Sequence, residues 1–421
     1  MIEGAAMRTV IDLFAGCGGL SQGLGLAGYE TVFVNELHPD AMETFMLNHE
    51  GSDLRNPKNH AFDILKLSRK PAELEALVRR LNKTHGQIDL VVGGPPCQGF
   101  SGIGHRRSFD VTKEDIPTNH LYREMAKVVK AVAPKAFVFE NVRGLLTARW
   151  TPDGDKGEIW ADVRKTFGKI EVKVGRSTYK YNIGWQLVFA KEYGVPQNRP
   201  RIIMVGLRDD IPFMQNPKLP AGGLLPVGEG GAPDPIDLLS DLEDSRWISG
   251  GETLFYPNVA RTEIQKELRT DPVTGLILPK GAPLTEHLYS KHSDHVILKF
   301  QHMIASGGEI PADMKTKKFA QRLLPEHWGE RGPSITATSL PDDYVHYSQP
   351  RVLTVREWAR LQTFPDSYLF YGKRTTGGRR RAGDPDAGDW TRDLPKYTQI
   401  GNAVPVKLAE ALGKHLKKLI S

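Results

Sequence analysis

Over its first two hundred residues the chain alternates short apolar β-rich runs with stretches of helical spacing, and that alternation leaves few folds open. Thr9-Val10-Ile11-Asp12-Leu13-Phe14 reads as a strand, Ala15-Gly16-Cys17-Gly18-Gly19 as a turn, and Leu20 to Ala27 as the start of a helix. Thr31 to Asn35 predicts a second strand and Pro39 to Asn48 a helix, while Ile88 to Val92 is a buried strand running into Gly93-Gly94-Pro95-Pro96. Leu121 to Val132 has helical spacing, and Ala136 to Phe139 is a strand with Glu140-Asn141-Val142 at its end. Tyr181 to Ala190 and Arg201 to Gly206 form a pair of strands around the turn Gly194 to Asn198. The expected fold is α/β, a doubly wound Rossmann-like sheet. The strand ends at Phe14, Val92 and Phe139 bring Gly-rich or polar loops to one edge, which is where such sheets bind ligands.

From residue 209 the texture becomes Pro- and Gly-rich, as in Gly228-Glu229-Gly230-Gly231-Ala232-Pro233, which marks a domain boundary. Regular pattern returns at Leu353 to Gln362, where Thr354 can cap a short helix. The predicted division is a catalytic domain at 1–208, a smaller and mostly irregular or β domain at 209–350, a hinge with an Arg-rich insertion at 351–396, and a C-terminal helix at 397–421 returning to the first domain. Net charge is +6 over 1–208, −7 over 209–350 and +7 over 351–421. A polyanionic partner would therefore meet the middle segment through a local face and not through bulk charge. Neither a signal peptide nor a membrane-spanning run stands out, so a soluble, cytoplasmic protein without membrane association is expected. Two cysteines, Cys17 and Cys97, cannot form a disulfide framework, and no histidines stand at ligand spacing beside them, so no metal is expected.

That leaves the thiols for chemistry. Cys97 follows Pro95-Pro96, whose fixed φ angles hold the residue at the carboxyl edge of its strand, where a nucleophile would be presented. A lone cysteine in a tight turn is more commonly a small buried hydrophobe. The Gly-rich turn after the first strand is not a full G-x-G-x-x-G and has no phosphate-binding lysine. Glu36 ends the second strand, where a carboxylate can take both ribose hydroxyls, and Asp63-Ile64 can meet an adenine amino group and its apolar face. Together these favour S-adenosylmethionine over a dinucleotide. Cys97 read with Glu140 suggests a specific reaction. A thiolate adds to carbon 6 of cytosine when the ring is protonated or strongly hydrogen-bonded at N3, and a carboxyl in a dry pocket, its pKa raised, can do that. Gln197, Arg199 and Arg201 are candidates to hold the base oxygen and a neighbouring phosphate.

These motifs resemble those of the DNA cytosine-5 methyltransferases: Asp12-Leu-Phe-Ala-Gly-Cys-Gly-Gly, Gly93-Gly-Pro-Pro-Cys-Gln-Gly-Phe-Ser, Glu140-Asn-Val, Gln197-Asn-Arg-Pro-Arg, Arg351 through Asp366, and Gln399-Ile-Gly-Asn-Ala-Val-Pro, in the family's order. The resemblance implies that Cys97 is the nucleophile, with Gln98 beside it, Glu140 the ring-nitrogen partner and Arg201 a contact to the cytosine oxygen, Arg199 joining the catalytic set. It implies a methyl-donor site lined by Phe14, Ala15, Gly16, Cys17, Gly18, Gly19, Glu36, Leu37, Asp63, Ile64, Pro96, Leu121, Asn402 and Ala403. Ser101, His105, Arg106 and Arg107 match a loop that closes on flipped DNA, with Gln197 as a further DNA contact. Residues 209–350 match the target-recognition region. The resemblance also implies double-stranded DNA as partner, a bacterial, nucleoid-associated enzyme acting as a monomer, and a companion restriction endonuclease that shares the site without direct binding. Thr147 to Tyr179 and 373–395 are longer than the simplest members need and read as insertions. The alternatives are the same chemistry on transfer RNA, and a DNA-binding regulator with a silent catalytic fold. Amino-group methylation is disfavoured because it would put Tyr or Trp where Cys97 stands, and NAD chemistry because no catalytic His or Tyr-Lys set is present.

Overall fold

The computed structural model describes residues 7–49, 53–96, 117–215, 223–315, 321–328, 333–334, 343–375 and 394–421. The chain divides into two compact units. One comprises 1–189, 200–229 and 407–421, and the other 190–199 and 230–406.

The first unit is built on an eight-stranded sheet. Its elements in chain order are β1 (Arg8–Leu13), α1 (Gly19–Leu26), β2 (Tyr29–Asn35), α2 (Pro39–Asn48), β3 (His60–Ala61), α3 (Ile64–Ser68), α4 (Pro71–His85), β4 (Leu90–Gly93), α5 (Leu121–Val132), β5 (Ala136–Val142), α6 (Glu158–Gly168), β6 (Glu171–Val174), β7 (Ser177–Phe189) and β8 (Pro200–Arg208). The strand order is β3-β2-β1-β4-β5-β8-β7-β6. The first five strands run parallel, and β8, β7 and β6 add antiparallel pairs.

Side chains alternate across β1 and so fix which helix covers which face. Ile11 and Leu13 join a core cluster with Leu74, Val78 and Leu81 of α4 and Tyr122, Met125 and Val129 of α5. Asp12 points the other way, toward Ser21 of α1. The C-terminal helix Val406–Leu419 belongs to this unit over residues 407–419. It lies close on α1, since a Cβ at Gly413 would come within 2.7 Å of Ala27 Cβ and 3.0 Å of Leu24 Cδ2.

The stretch Thr147 to Tyr179 takes part in the central packing of the first unit. Its helix α6 and strand β6 put Ile159, Trp160, Val163, Phe167 and Val172 into the central cluster, where the Phe167 ring meets Phe137 and Phe139. Composition changes at 209, but the first unit continues to 229. Asp209 N–H bonds Lys180 O, His415 bonds Gly223 O, and Leu224 lies against Gly184.

The second unit is mostly irregular, with short helices at Pro235–Leu239, Glu263–Leu268, Asp294–Ala305, Val355–Leu361 and Lys396–Asn402 and a two-residue parallel pair, Arg322–Leu323 with Tyr344–Val345. Its interior is organised by buried ions as well as apolar packing. Arg360 makes paired contacts with both Asp241 and Asp366, and Arg351 does so with Glu357. All of these side chains are essentially inaccessible. Such pairs, once buried, cost several kcal/mol to break on one side, so they fix one arrangement of the segments they join. Thr354 and Glu357 form a reciprocal capping box that starts Val355–Leu361.

Candidate active site

The parallel ladder aligns three strand ends. Leu13 pairs with Asn35 on one side and Gly93 on the other, and Gly93 pairs with Phe139. Phe14 to Gly18 and Gly94 to Pro96 therefore leave the sheet side by side, next to the point between β1 and β4 where the winding direction reverses, with Glu140 beside them where β5 continues along β8 alone.

The first turn depends on backbone geometry. Phe14, Gly16 and Gly18 all have positive φ, at 57°, 57° and 90°. A Cβ on Gly16 would point into open space, so glycine is needed there for conformation and leaves room beside it. Glu36 holds the turn. Its Oε2 accepts from Gly16 N–H at 2.8 Å and its Oε1 from His38 N–H at 2.7 Å. Burial raises the Glu36 pKa above the ordinary carboxylate range, against those two hydrogen bonds. Asn35, which sequence reading overlooked, ties three strand ends together by donating to Ala61 O and Phe62 O, each at 2.9 Å, and accepting from Phe14 N–H. Its only sequence signal is an amide closing an apolar run.

Asp63 caps α3 through Leu65 N–H at 2.9 Å, and Ile64 is buried behind it. Leu37 and Phe62, 68% and 45% exposed, stand next in sequence to Glu36 and Asp63. Exposed apolar side chains beside two carboxylates at strand ends are the donor set expected for an adenosine: hydroxyls and an amino group to accept from, and a flat apolar ring to cover. The residues present fit such a group. Leu121, at the first position of α5, is half-buried. Cys17 is enclosed in the turn, and burial pushes its thiol up to about 12, so it is no nucleophile at neutral pH.

Cys97 and Gln98 lie outside the described residues, as do Ser101, His105, Arg106, Arg107 and Arg379 to Arg381. The Pro95–Pro96 turn leading to Cys97 is described. Asn141 anchors it by donating from Nδ2 to Pro95 O at 3.0 Å. Glu140 lies beside the same turn, because a Cβ at Gly94 would come within 2.9 Å of its Oε2. Arg201, from the facing end of β8, meets Glu140 with Nε to Oε1 at 2.7 Å, both side chains only 12% exposed. Burial lowers the Arg201 pKa from its ordinary value, and Glu140 opposes this.

Gln197 is fully buried in the second unit, donating to Leu361 O at 2.7 Å and Gln362 Oε1 at 2.8 Å. Arg199, also buried, donates to Gly401 O at 2.6 Å. Asn402 is exposed, and Ala403 beside it is buried.

A parallel sheet with a Gly-rich first turn, a carboxylate closing β2 and antiparallel strands completing one edge defines a Rossmann-like methyltransferase. Comparison with known sequences and structures specifies which kind. The sequence model of the C-5 cytosine-specific DNA methylases matches residues 8–418, and the chain belongs to that family of DNA cytosine-5 methyltransferases. DNA is the family's substrate and S-adenosylmethionine its methyl donor. Among relatives, the chain is 30% identical to the Type II methyltransferase M.DdeI of Desulfomicrobium norvegicum, over 97% of this chain and 88% of that protein. It is 28% identical to the Type II methyltransferase M1.HphI of Haemophilus parahaemolyticus, over 98% and 87% respectively. The crystal structure of a protein described as a prophage-encoded DNA modification methyltransferase from E. coli shares the fold. It superposes with a TM-score of 0.66 over 98% of this chain and 99% of that one, at 22% identity. Among the described residues no helix is long and apolar enough to cross a membrane.

Proposed function

We propose that this enzyme methylates one cytosine within a specific duplex DNA sequence, using Cys97 as nucleophile and the Glu140–Arg201 pair as the group that receives the ring. The observation that carries the reading is the placement of that pair beside the Pro95–Pro96 turn, one residue ahead of Cys97. The target cytosine is flipped from the duplex at a cost of a few kcal/mol of unstacking. The Cys97 thiolate adds to carbon 6, forming the carbon–sulfur bond and moving electron density toward N3 and carbon 5. On binding the base, the Glu140 carboxylate takes up a proton from solvent and donates it in a hydrogen bond to N3, while Arg201 Nε holds the other carboxyl oxygen and a further guanidinium N–H meets the base oxygen. As the ring gains electron density N3 becomes basic and that proton passes to it, leaving Glu140 ionised beside Arg201; the proton returns to Glu140 when Cys97 is expelled. Bound S-adenosylmethionine supplies an electrophilic methyl group for carbon 5. Removal of the carbon-5 proton by a base then re-forms the double bond and expels the Cys97 thiolate.

In this reading Glu36 accepts from the ribose hydroxyls, and Asp63 accepts from the adenine amino group with Ile64, Leu37 and Phe62 covering its faces. Gly16, Gly18 and Gly19 let the backbone approach, and Phe14, Ala15, Cys17, Pro96 and Leu121 line the remainder. The relatives' Type II names support a host-protecting role beside a restriction endonuclease that cuts the same site. The proposed enzyme acts as a monomer. Residues of the second unit between 230 and 350 supply the base-reading contacts.

Bisulfite sequencing of DNA from cells expressing the chain tests this. One cytosine in a short recurring sequence should be protected, and protection should disappear with Cys97→Ser. Protection that survives Cys97→Ser would remove Cys97 from the mechanism, and no protection at all in a folded, donor-binding protein would refute the proposed activity.

A further inference from the structure

Residues 209–350 carry a net charge of −7, so a polyanion can meet this part of the chain only on a local face. Such a face is built in the second unit by the loop 244–251 and the segment 288–292. The two are joined along their length. Ser249 Oγ accepts His292 N–H at 2.7 Å and donates to His292 O at 3.2 Å, Tyr289 N–H donates to Gly251 O at 2.8 Å, and the Trp247 ring meets the Tyr289 ring edge-on. Asp244 closes the loop from within. Its Oδ1 accepts Arg246 N–H at 2.9 Å and its Oδ2 the Thr253 hydroxyl at 3.0 Å, while its main-chain carbonyl accepts from Trp247 N–H at 3.1 Å and Gln349 Nε2 at 2.8 Å. Ser245, Arg246, Ile248 and Gly250 remain outside, and exposed Lys291 lies against Gly250, where a Cβ would come 3.3 Å from Lys291 Cβ.

The acids at the base of the loop are engaged by the fold. Glu243 accepts from the Tyr347 hydroxyl and from Ser348 Oγ at 2.9 Å, and Asp244 is held as above. Exposed Glu252 and Asp294 flank the face in sequence. Arg374 donates to Leu288 O at 3.1 Å and adds its charge to those of Arg246 and Lys291. Burial, then the charges of Lys299, Arg351 and Arg374, lower the His292 pKa, which marks the same surroundings as positive. Arg246 stands furthest out, its side chain 87% exposed. Its Nε lies 3.6 Å from Asp244 Oδ1, so the carboxylate braces the guanidinium from behind and leaves the terminal fork in solvent. Two donors in one plane match the N7 and O6 acceptors that guanine shows in the major groove, whereas isolated cations suit phosphate oxygens. Ile248, 69% exposed, is folded against Gly251, where a Cβ would come within 2.6 Å of Ile248 Cγ1. We infer that 244–251 is a base-reading loop of the second unit, Arg246 recognising a guanine of duplex DNA while Lys291 and Arg374 take neighbouring phosphates. The inference rests on the reading that the second unit supplies the base contacts. Because the loop is already braced, little ordering is left to oppose binding.

The test compares the full chain as wild type, Arg246→Ala, the double variant Lys291→Ala with Arg374→Ala, and Arg261→Ala, an exposed arginine of the same unit outside both segments. Bisulfite sequencing of DNA from expressing cells gives each protein's methylated sequence. Fluorescence anisotropy of a duplex carrying the wild-type sequence, and of duplexes with each guanine replaced in turn, gives the same discrimination as an affinity ratio that does not depend on turnover. Arg246→Ala should lose about tenfold or more of the preference for one guanine and keep it at the others. The double variant should keep the sequence, and its salt slope of binding should fall by about 0.9 for each lost phosphate contact. Arg261→Ala should match the wild type in both. Undiminished preference for every guanine in Arg246→Ala, or an unchanged slope in the double variant, would overturn this face and leave the second-unit reading intact. Methylation by the wild type without sequence preference would refute that reading, and the face with it.

Discussion

Glu140→Gln tests whether the Glu140–Arg201 pair acts as a unit. The two side chains meet at 2.7 Å and each is 12% exposed, a setting between an exposed pair worth about 0–1 kcal/mol and a buried one that costs about 3–5 kcal/mol when one partner is removed. Glutamine leaves the guanidinium without its countercharge, and a loss of about 2 kcal/mol is expected on that interpolation. In a unit of this size such a loss lowers Tm by about 4–8 °C. Arg201→Met should cost a similar amount by stranding the carboxylate. The double variant removes both charges and should fall short of the summed losses by about 2 kcal/mol. Turnover follows a different rule. The amide cannot pass a proton to N3, so single-turnover methyl transfer should slow by about 10²-fold or more in Glu140→Gln at saturating donor. Urea unfolding of the four proteins and rapid-quench methylation provide both readouts. Additive stabilities would show that the pair is not energetically coupled. Unaltered turnover in Glu140→Gln would remove the carboxyl from the chemistry.

Glu36→Ala should weaken S-adenosylmethionine by about 30-fold or more in calorimetry, since it deletes both the ribose acceptor and the group that holds Gly16 and His38 N–H, at about 1 kcal/mol or more for each hydrogen bond; normal affinity would refute the ribose assignment. Asp12 sets a pH dependence. It is buried at the end of β1, accepting from Ser21 Oγ at 2.6 Å, and burial pushes its carboxyl from 3.8 up to about 7, the Ser21 bond opposing this and the Glu36 charge adding to it. Between those values the folded protein holds a proton that the unfolded chain has lost, so rising pH favours unfolding by about 1.4 kcal/mol per pH unit from this group, levelling off above about 7. Asp12→Asn should abolish that slope, its advantage in urea unfolding growing from about pH 4 to about pH 7 and then staying constant. A difference independent of pH would refute the assignment.

Legibility in the sequence followed the range of the interactions involved. Pro39–Asn48 and Leu121–Val132 have the predicted limits, because a proline at the first helical position or a regular apolar stripe is local information, whereas the expected C-terminal helix at 397–421 is two helices, Lys396–Asn402 and Val406–Leu419. The three aligned strand ends were also readable from apolar runs stopped by glycine or polar residues. β5 continues through Glu140 to Val142, and β7 starts at Ser177, because antiparallel neighbours extend both strands. The β5–β8 pairing joins residues about sixty or more apart in sequence, whereas the start of β7 pairs with β6 across a short turn. The helices α4 and α6 were missed, the latter inside a stretch judged by length alone, although Trp160 and Phe167 carry the signal of a buried face.

At the site, Glu36 and Asp63 were found from type and position, but their bonds to Gly16, His38 and Leu65 N–H depend on turn geometry. Asn35 has no motif of its own, and the Glu140-Asn-Val motif names Asn141 without showing that its amide bridges to Pro95 O. The partners of Gln197 and Arg199 have no local sequence signal. Their acceptors at 361, 362 and 401 are brought to them only by the folded second unit.

The central claim is that Cys97 bonds to the target base. Duplex DNA carrying 5-fluorocytosine at the methylated position tests it most directly, because after methyl transfer carbon 5 has no proton to lose and the thiolate cannot be expelled. The account predicts a denaturation-resistant protein–DNA adduct that requires S-adenosylmethionine, is absent in Cys97→Ala, and maps to the Cys97 peptide and not to the buried Cys17. An adduct on Cys17, one formed with transfer RNA and not with duplex DNA, or none at all in a folded, donor-binding protein would contradict it.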